Sequence, residues 1–366
     1  MRGTPDLQMS MLTSVSAESL IPTDHPIRRI RNVVDAVLAD LNAEFTAMYA
    51  SGGRPSVPPE HLLKATVLMA MYSMRSERAF CERLNYDLLF KWFLDLTVDA
   101  PAFDATTFTK NRERLLDHEI ADRFFAAVVR QAKLRRYVSS EHFSVDGTLL
   151  EAWASHKSFK PKDGNGKSGP PSSGTGRNAE VNFHGEKRTN ETHQSTTDPE
   201  ARMARKSFAT GAKLSYAGHV LMENRNALIV DIDLTPATGY AERDTALALL
   251  RDLPPTKRRR TVAADKAYDT RGFAADCQAM GVTPHVAQNL TRNGGTAIDG
   301  RTTRHSGYQV SQRIRKRIEE SFGWIKVVGG GRKLRYIGQT RNRAWFVMAG
   351  AVYDIIRIAN LDAQRA

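Results

Sequence analysis

The sequence predicts an α/β core, in which a mixed β-sheet is flanked by helices, preceded by an all-α region. Through about the first 135 residues, apolar side chains recur at the spacing of a helix. After residue 140 the spacing changes to the alternation typical of strands, and strand hairpins precede alternating helices and strands. Antiparallel strands that lead into such an alternating section form a mixed sheet covered by helices.

The helical region is expected to follow an arm, residues 1–20, that has little periodicity. Apolar residues at helical spacing predict one helix from Ile27 to Met48. A second helix is expected to start at Pro58-Pro59-Glu60, because proline fits the first turn of a helix and an acidic residue suits the helix dipole. Ser76 is the expected N-cap of a third helix. The helical region then spans residues 21–135.

A basic helix is predicted after Asp104, and its surface carries Lys110, Arg112 and Arg114. Short helices with basic residues occur both in plain bundles and in helix–turn–helix modules, and the pattern alone leaves both open. The chain has 366 residues and a net charge of +13 at pH 7. Charge on this scale favours nucleic acid or an anionic membrane surface as a partner. These three cations are therefore candidate DNA contacts.

The composition argues against membrane insertion, secretion and cysteine chemistry. The most apolar stretches, 62–74 and 346–356, are too short to span a bilayer or carry charge within or beside them. The first residues lack the apolar run of a secretory signal. Cys81 and Cys277 lie far apart without a CxxC partner, so a disulfide framework or structural zinc site is not expected. A reducing cytosol fits this composition.

Strands are predicted from His142, where the residues to Trp153 suggest a strand, a turn or bend, and a second strand. Residues 157–205 are rich in Gly, Ser, Asn, Thr, Lys and Pro, so we expect a flexible polar insertion without a core. Two further strands meet at a hairpin turn near Glu223. The remaining elements are predicted as helix 245–253, a strand from residue 261, helix 270–280, strand 282–287, a charged helix and a final helix, 343–360.

The charged helix is predicted from Gln312 to Lys326, and helical spacing places Arg315 and Glu319 on the same face as these two residues. The neighbouring Glu320 falls on another side, as an ordinary surface carboxylate would. A solvated helix face is the ordinary interpretation of such a stripe. A single carboxylate among cations also suits a site that holds a metal ion beside a polyanion. The helix alone leaves both interpretations open.

Three carboxylates occupy positions where they could converge at one edge of the sheet. Asp146 lies within or just after the first strand, Asp265 ends an apolar strand, and Glu319 lies on the charged helix. Open α/β sheets place their ligand sites at the carboxyl ends of strands. Such a set of carboxylates can hold two divalent cations about 4 Å apart. Hard oxygen ligands favour Mg²⁺ or Mn²⁺ over zinc.

Each aspartate also has an ordinary interpretation. Asp146-Gly147 is a common hairpin-turn dipeptide, and Asp265 could cap the turn that follows it. Asp269 competes with Asp265 as the nearby acid. Asp265 is preferred because it ends the apolar strand directly, whereas Asp269 precedes Thr270 and resembles a helix N-cap.

Three motifs occur in order along the chain: VDGT around Asp146, AADKAYD around Asp265, and R-x3-E-x6-K from Arg315 to Lys326. In their order and spacing they resemble the motifs of bacterial insertion-sequence transposases of the DDE class, and within that class the chain resembles insertion-sequence family five. The helical region carries similar segments, HPIRRI and DATTFTKNRERL among them. The related pattern often has Tyr three positions before the Arg, where this chain has Gln312.

The resemblance implies a ribonuclease H-like catalytic domain over residues 136–361, interrupted by the polar insertion at 157–205. It also implies that residues 21–135 form a DNA-binding domain that reads terminal inverted repeats. The metal ligands for two Mg²⁺ or Mn²⁺ ions are then Asp146, Asp265 and Glu319, and the DNA contacts at the catalytic face are Gln312, Arg315 and Lys326.

The implied activity is Mg²⁺-dependent cleavage at the terminal inverted repeats and strand transfer into target DNA. The implied assembly is a homodimer on DNA, in a cytoplasmic, nucleoid-associated bacterial protein that has no membrane partner. Two other functions stay open. One is a DNA-binding nuclease on the same core that never joins strands. The other is a domesticated transposase that binds DNA but lacks strand transfer.

Overall fold

The computed structural model describes residues 16–48, 56–117, 119–162, 188–206, 209–291 and 293–365. Most of the predicted N-terminal arm and the centre of the predicted polar insertion lie outside these ranges.

All the elements described between residues 16 and 135 are helices. The single helix predicted from Ile27 to Met48 is wrong, because two helices meet at Leu41, which ends the first of them. Leu41 and Phe45 are both buried in one core, so the bend lets both helices pack against it. Ser76 is the predicted N-cap, and its hydroxyl accepts a hydrogen bond from the Ala79 N–H at 3.2 Å. The helices are α1 (Ala17–Leu20), α2 (Pro26–Asp40), α3 (Asn42–Met48), α4 (Pro59–Met71), α5 (Glu77–Leu84), α6 (Leu88–Phe93), α7 (Thr106–Asp117) and α8 (Ile120–Leu134).

The strands form a mixed sheet flanked by helices, as the sequence predicts. The strands are β1 (His142–Glu151), β2 (Phe159–Pro161), β3 (His193–Ser195), β4 (Arg202–Ala204), β5 (Lys213–Glu223), β6 (Leu228–Pro236), β7 (Arg260–Ala264) and β8 (Val282–Val286). β8, β7 and β1 are parallel neighbours, and β5 pairs antiparallel with β1 on one edge and with β4 and β6 on the other. β2 and β3 form a separate two-stranded sheet at the ends of the polar insertion.

The turn or bend predicted between His142 and Trp153 is absent from the described structure. β1 is one continuous strand, in which Asp146 pairs with Val220 and Gly147 with His219 of β5. The hairpin-turn interpretation of Asp146-Gly147 is therefore wrong, because both residues keep their places in the ladder.

The charged helix is also not a single α-helix, since a 3₁₀ turn at Arg315–Arg317 separates two helices. The break has a packing cause: the first helix is anchored to β8 through Gln312, and the second to β1 through Lys326. The helices of this half are α9 (Ala241–Arg251), α10 (Arg271–Ala279), α11 (Gly300–Thr303), α12 (Ser306–Ile314), α13 (Ile318–Val327) and α14 (Gln339–Arg365).

α14 connects the helical region to the sheet. One continuous core contains Val34, Leu68 and Phe124 of the N-terminal helices together with Phe346 of α14 and Ile232 of β6. By length and composition α14 could cross a membrane, but 67% of its most apolar window of 18 residues is buried inside the protein. A second core covers the opposite face of the sheet, where α9 and α10 pack.

Both cysteines behave as small buried apolar residues. Cys81 and Cys277 are free thiols inside the two cores. Burial raises the pKa of Cys81 to about 11 and that of Cys277 to about 12, so neither is a thiolate at neutral pH.

Candidate active site

Asp146 and Asp265 lie at the same level on adjacent parallel strands. β1 and β7 pair in register up to Ser144 and Ala263. Asp146 and Asp265 each follow two residues later, so their side chains leave the same face of the sheet. The parallel strands bring together two carboxylates that are far apart in sequence.

The two aspartates interact electrostatically. Burial raises the pKa of Asp146 to about 7, and the negative charges of Asp265 and Glu242 contribute to this rise. A hydrogen bond of 2.8 Å from the Gly147 N–H and the positive charge of Arg315 act in the opposite direction. A carboxylate so placed is stabilised in its charged form by a nearby cation.

Asp265 and Asp269 differ in their exposure and in their hydrogen-bond partners. Asp265 is partly exposed, and its Oδ1 accepts a hydrogen bond of 2.8 Å from the Ala267 N–H at the start of a 3₁₀ turn. Asp269 is buried and accepts hydrogen bonds from the backbone N–H groups of Asn289 and Ala297 at 2.6 and 2.8 Å. It therefore holds a loop, and α10 is capped by Thr270 instead. The geometry favours Asp265 as the partner of Asp146.

Glu242 is an acidic neighbour that the sequence patterns do not single out. It lies in the first turn of α9, and its side chain packs over Gly147. A Cβ atom at Gly147 would lie 2.7 Å from both Cγ and Oε1 of Glu242. Burial and the charge of Asp265 raise the pKa of Glu242, and the positive charge of Arg243 opposes them. Within the described ranges its carboxylate has no hydrogen bond or ion pair, so it adds negative charge beside the aspartate pair.

Glu319 lies in the first turn of α13, and its side chain is exposed. It has no hydrogen bond or ion pair with any residue that the structure describes. The same part of the chain contains no group of three or more His, Cys, Asp or Glu side chains close enough to hold a metal ion. The structure thus brings Asp146, Asp265 and Glu242 near one another but leaves Glu319 as a separate carboxylate.

The residues on either side of Glu319 in sequence nevertheless interact with the strand that carries Asp146. Arg315, one turn earlier, is near enough to Asp146 to affect its pKa. The Gln312 side chain fixes Arg315, because its Oε1 accepts a hydrogen bond of 3.0 Å from Arg315 Nε while its Nε2 donates to the backbone oxygen of His285. Gln312 therefore ties the guanidinium group to β8.

Lys326 reaches β1 directly. Its Nζ donates a hydrogen bond of 2.5 Å to Thr148 Oγ1, two residues beyond Asp146 on the same face of the strand. Burial lowers the pKa of Lys326, and the nearby positive charges of Lys206 and Arg332 lower it further. An anion bound here would relieve this repulsion.

The three basic residues of α7 differ in their surroundings. Lys110 is exposed, and Arg114 donates a hydrogen bond of 3.4 Å to Asn111 Oδ1. Arg112 pairs with Glu77 at 2.6 Å and packs over the Tyr336 ring, with 4.7 Å from its Cζ to the ring centroid. Arg112 thereby links α7 to α5 and to the segment that precedes α14.

Two protein families match the chain. The family described as Transposase DDE domain matches residues 140–355, and the family described as Transposase domain (DUF772) matches residues 15–114. No curated protein matches the chain.

Solved structures of transposases are similar to the chain only at a low level. One is the piggyBac transposase in a synaptic complex with hairpin DNA, at 9% identity over 96% of this chain and 78% of that chain, with a TM-score of 0.39. Another is the Mos1 transpososome before cleavage, at 9% identity over 86% of this chain and 81% of that chain, with a TM-score of 0.21.

Proposed function

The chain belongs to the family of transposases with a DDE domain, and we propose that Asp146, Asp265 and Glu319 are its catalytic carboxylates. Enzymes of this family are DNA transposases, which cleave DNA strands and join them by metal-dependent transesterification. The observation that carries the assignment is that Asp146 and Asp265 each lie two residues beyond the last paired residues of two adjacent parallel strands, Ser144 and Ala263.

Asp146 and Asp265 fit a divalent metal ion such as Mg²⁺ or Mn²⁺. Their donor atoms are hard carboxylate oxygens, and the raised pKa of Asp146 marks a negative charge that lacks full compensation. Glu319 is the third proposed ligand, because Arg315 and Lys326, which lie on either side of it in sequence, both interact with β1. Its exposed side chain has no hydrogen bond or ion pair with any described residue. Two ions in this site would activate the attacking oxygen and stabilise the leaving oxygen of a phosphodiester.

The neighbouring cations position the DNA. Arg315, held by Gln312, and Lys326, anchored at Thr148, stand on either side of Glu319 in sequence and reach β1. We assign to both the role of contacting phosphates beside the cleaved bond, since phosphate contacts set the register of DNA on a protein. Gln312 acts through Arg315. We also propose that Lys110 and Arg114, exposed on α7, contact phosphates farther along the DNA. Arg112 would contact DNA there while it keeps its ion pair with Glu77.

The order and direction of the strands support a ribonuclease H-like core over residues 136–361. A central parallel group, β1, β7 and β8, continues into antiparallel β5 and β6. We further propose that residues 21–135 bind the terminal inverted repeats, as a member of insertion-sequence family five would. The working form would be a homodimer that holds two transposon ends and a target DNA, in the cytoplasm at the nucleoid.

The proposal is tested with Asp146→Asn and Asp265→Asn on an oligonucleotide that carries the terminal repeat. We expect cleavage to be lost while binding of the oligonucleotide is retained. Asp276→Asn, on α10, is the matched control and should cleave normally. Normal cleavage by Asp146→Asn or Asp265→Asn would remove that aspartate from the site. Joining of pre-cut ends to a second DNA separates a transposase from a nuclease, which would yield no joined product.

A further inference from the structure

A short segment, residues 329–334, folds back from the end of α13 onto the end of β1. The Gly331 N–H donates to the Ile325 oxygen at 3.0 Å, and the Arg332 N–H donates to the Lys326 oxygen at 3.1 Å. The Leu334 N–H then donates to the oxygen of Glu151 at 2.7 Å. This return segment therefore places Arg332 and its neighbour Lys333 beside the strand that carries Asp146.

The basic side chains of the return segment and of the end of α13 lack acidic partners among the described residues. Lys326, Arg332 and Lys333 have no ion pair within the described ranges. Glu151, the carboxylate of β1 at this end, is already paired with Lys213 at 2.8 Å. Like charges this close are unfavourable unless an anion lies among them. The return segment thus presents an uncompensated positive surface.

An exposed aromatic ring lies beside Lys333, just beyond the end of β1. Trp153 lies two residues beyond the end of β1 and is 51% exposed, which is unusual for so large an apolar side chain. The Nζ of Lys333 lies 5.7 Å from the Trp153 ring centroid. A basic surface with an accessible aromatic face is the combination by which proteins hold unpaired nucleotides, through phosphate contacts and base stacking.

We propose that this return surface, composed of Trp153, Lys326, Arg332 and Lys333, binds the DNA strand that leads to the cleaved phosphodiester. The three cations contact its phosphates, and Trp153 stacks on an unpaired base. This inference rests on the proposed function, because Asp146 marks the point of cleavage. Lys326 belongs to the proposed site already, whereas Trp153, Arg332 and Lys333 extend it.

The geometry also gives the position of the contact. Lys333 lies opposite Glu151 in a parallel bridge, five residues beyond Asp146 on β1. At about 3.3 Å per residue this is about 17 Å along the strand. For a DNA strand that runs parallel to β1, with one phosphate per 3.4 Å of rise, the surface lies roughly five nucleotides from the cleaved bond.

The experiment measures binding in EDTA, so that no cleavage occurs. Two probes carry the terminal repeat: a full duplex, and the same duplex with two unpaired bases roughly five nucleotides from the cleavage site, the distance given by the strand rise. Affinity is measured over a series of salt concentrations for the wild type, Arg332→Gln/Lys333→Gln, Trp153→Ala and Trp153→Phe. Lys257→Gln is the matched control, because it removes one exposed charge at the opposite end of β7.

We expect Arg332→Gln/Lys333→Gln to weaken binding to both probes and to reduce the slope of log affinity against log salt by about two. Trp153→Ala should lose roughly tenfold in affinity for the unpaired probe alone, and Trp153→Phe should retain it. Lys257→Gln should match the wild type. Melting temperatures equal to that of the wild type establish that the variants are folded.

Unchanged affinity and salt slope in Arg332→Gln/Lys333→Gln would exclude the return surface. An equal loss on both probes for Trp153→Ala would exclude base stacking. These outcomes are independent of the proposed function, which is judged by cleavage with Asp146→Asn. If the surface variants bind DNA like the wild type while Asp146→Asn abolishes cleavage, the return surface is excluded and the catalytic assignment stands. If the surface variants lose binding while Asp146→Asn cleaves normally, the DNA contact stands and the catalytic assignment is excluded.

Discussion

The side chain of Glu242 packs directly over Gly147, the residue that follows Asp146 on β1. A Cβ atom at Gly147 would come within 2.7 Å of Glu242 Cγ and Oε1, a distance that side chains do not adopt. Glycine at this position therefore lets the first turn of α9 bring a carboxylate up to the aspartate pair. The backbone of Gly147 is an ordinary strand, so the requirement comes from packing and not from a turn.

Gly147→Ala should displace Glu242 and destabilise the protein by about 1–3 kcal/mol, the usual cost of overpacking a filled space. The double variant Gly147→Ala/Glu242→Ala should recover most of this loss, because the added methyl group then has room. Unfolding by urea measures both effects as a double-mutant cycle. Gly272→Ala is the control, since a Cβ atom added there would meet nothing within 4 Å. An additive cycle would contradict the contact.

Glu242→Gln keeps the size of the side chain but removes one negative charge beside Asp146 and Asp265. We expect weaker binding of Mn²⁺, roughly tenfold, the effect typical of groups just outside a metal's ligands, with no loss of thermal stability. Titration calorimetry with Mn²⁺ measures the affinity. Asp244→Asn, exposed on the same helix, is the control. Equal Mn²⁺ affinity in Glu242→Gln and the wild type would show that Glu242 has no part in metal binding.

Glu242 illustrates what sequence patterns leave out. The position of Asp265 at the end of β7 was predictable, because a polar residue follows an apolar run there, and strand ends are where ligand sites are expected. An acidic residue in the first turn of a helix, by contrast, is ordinary, since it is favourable beside the helix dipole. Only the passage of α9 over Gly147 distinguishes Glu242, and that contact joins residues 95 positions apart in the printed sequence.

Glu319 and Glu320 are adjacent and exposed, but only Glu319 is assigned to the site. Glu320 lies on another side of α13, near enough to Tyr353 of α14 to raise the pKa of that tyrosine. Glu319→Gln should abolish strand cleavage and strand transfer, and Glu320→Gln should leave both within about twofold of the wild type, as surface substitutions do. Cleavage of a labelled terminal repeat in Mg²⁺ measures the difference. Loss of activity in Glu320→Gln alone would reverse the assignment.

The break between α12 and α13 could not be predicted from local preference. Arg315, Lys316 and Arg317 are all compatible with an α-helix, and the sequence predicts one. The 3₁₀ turn arises because Gln312 is bonded to β8 while Lys326 is bonded to β1, and Arg317 donates to the Asn224 and Arg225 oxygens. These tertiary hydrogen bonds override the weak preference of the three residues for an α-helix.

Gln312 occupies the position where the related pattern often has Tyr, and we expect it to position Arg315, because it is hydrogen-bonded both to Arg315 and to β8. Gln312→Ala should lower the cleavage rate about tenfold through a misplaced Arg315, the cost of one lost hydrogen bond to a charged group. In a protein that already carries Arg315→Ala, Gln312→Ala should not lower the cleavage rate further. A purely structural role of Gln312 would lower the rate in both backgrounds. Single-turnover cleavage measures the rates, and Gln278→Ala on α10 is the control. Equal effects of Gln312→Ala in both backgrounds would rule out action through Arg315.

The buried position of Asp146 predicts a dependence of stability on pH in the metal-free protein. Its pKa is raised from 3.8 to about 7 in the folded state, so the folded protein holds this proton more tightly than the unfolded chain does. The protonated carboxyl group then adds stability below about pH 4, and this stability is lost as the pH rises through about 7. The loss of stability is at most about 4 kcal/mol, at 1.36 kcal/mol per pKa unit.

Asp146→Asn, which keeps an acceptor oxygen for the Gly147 N–H, should not show this loss of stability. The free energy of unfolding is measured with urea in EDTA at pH 5 and pH 8. Between these two values the wild type should lose stability relative to Asp146→Asn. Added Mg²⁺ at pH 8 should restore the stability of the wild type and leave that of Asp146→Asn unchanged. Identical pH dependence in the two proteins would mean that Asp146 is solvated well enough to ionise at its ordinary pKa.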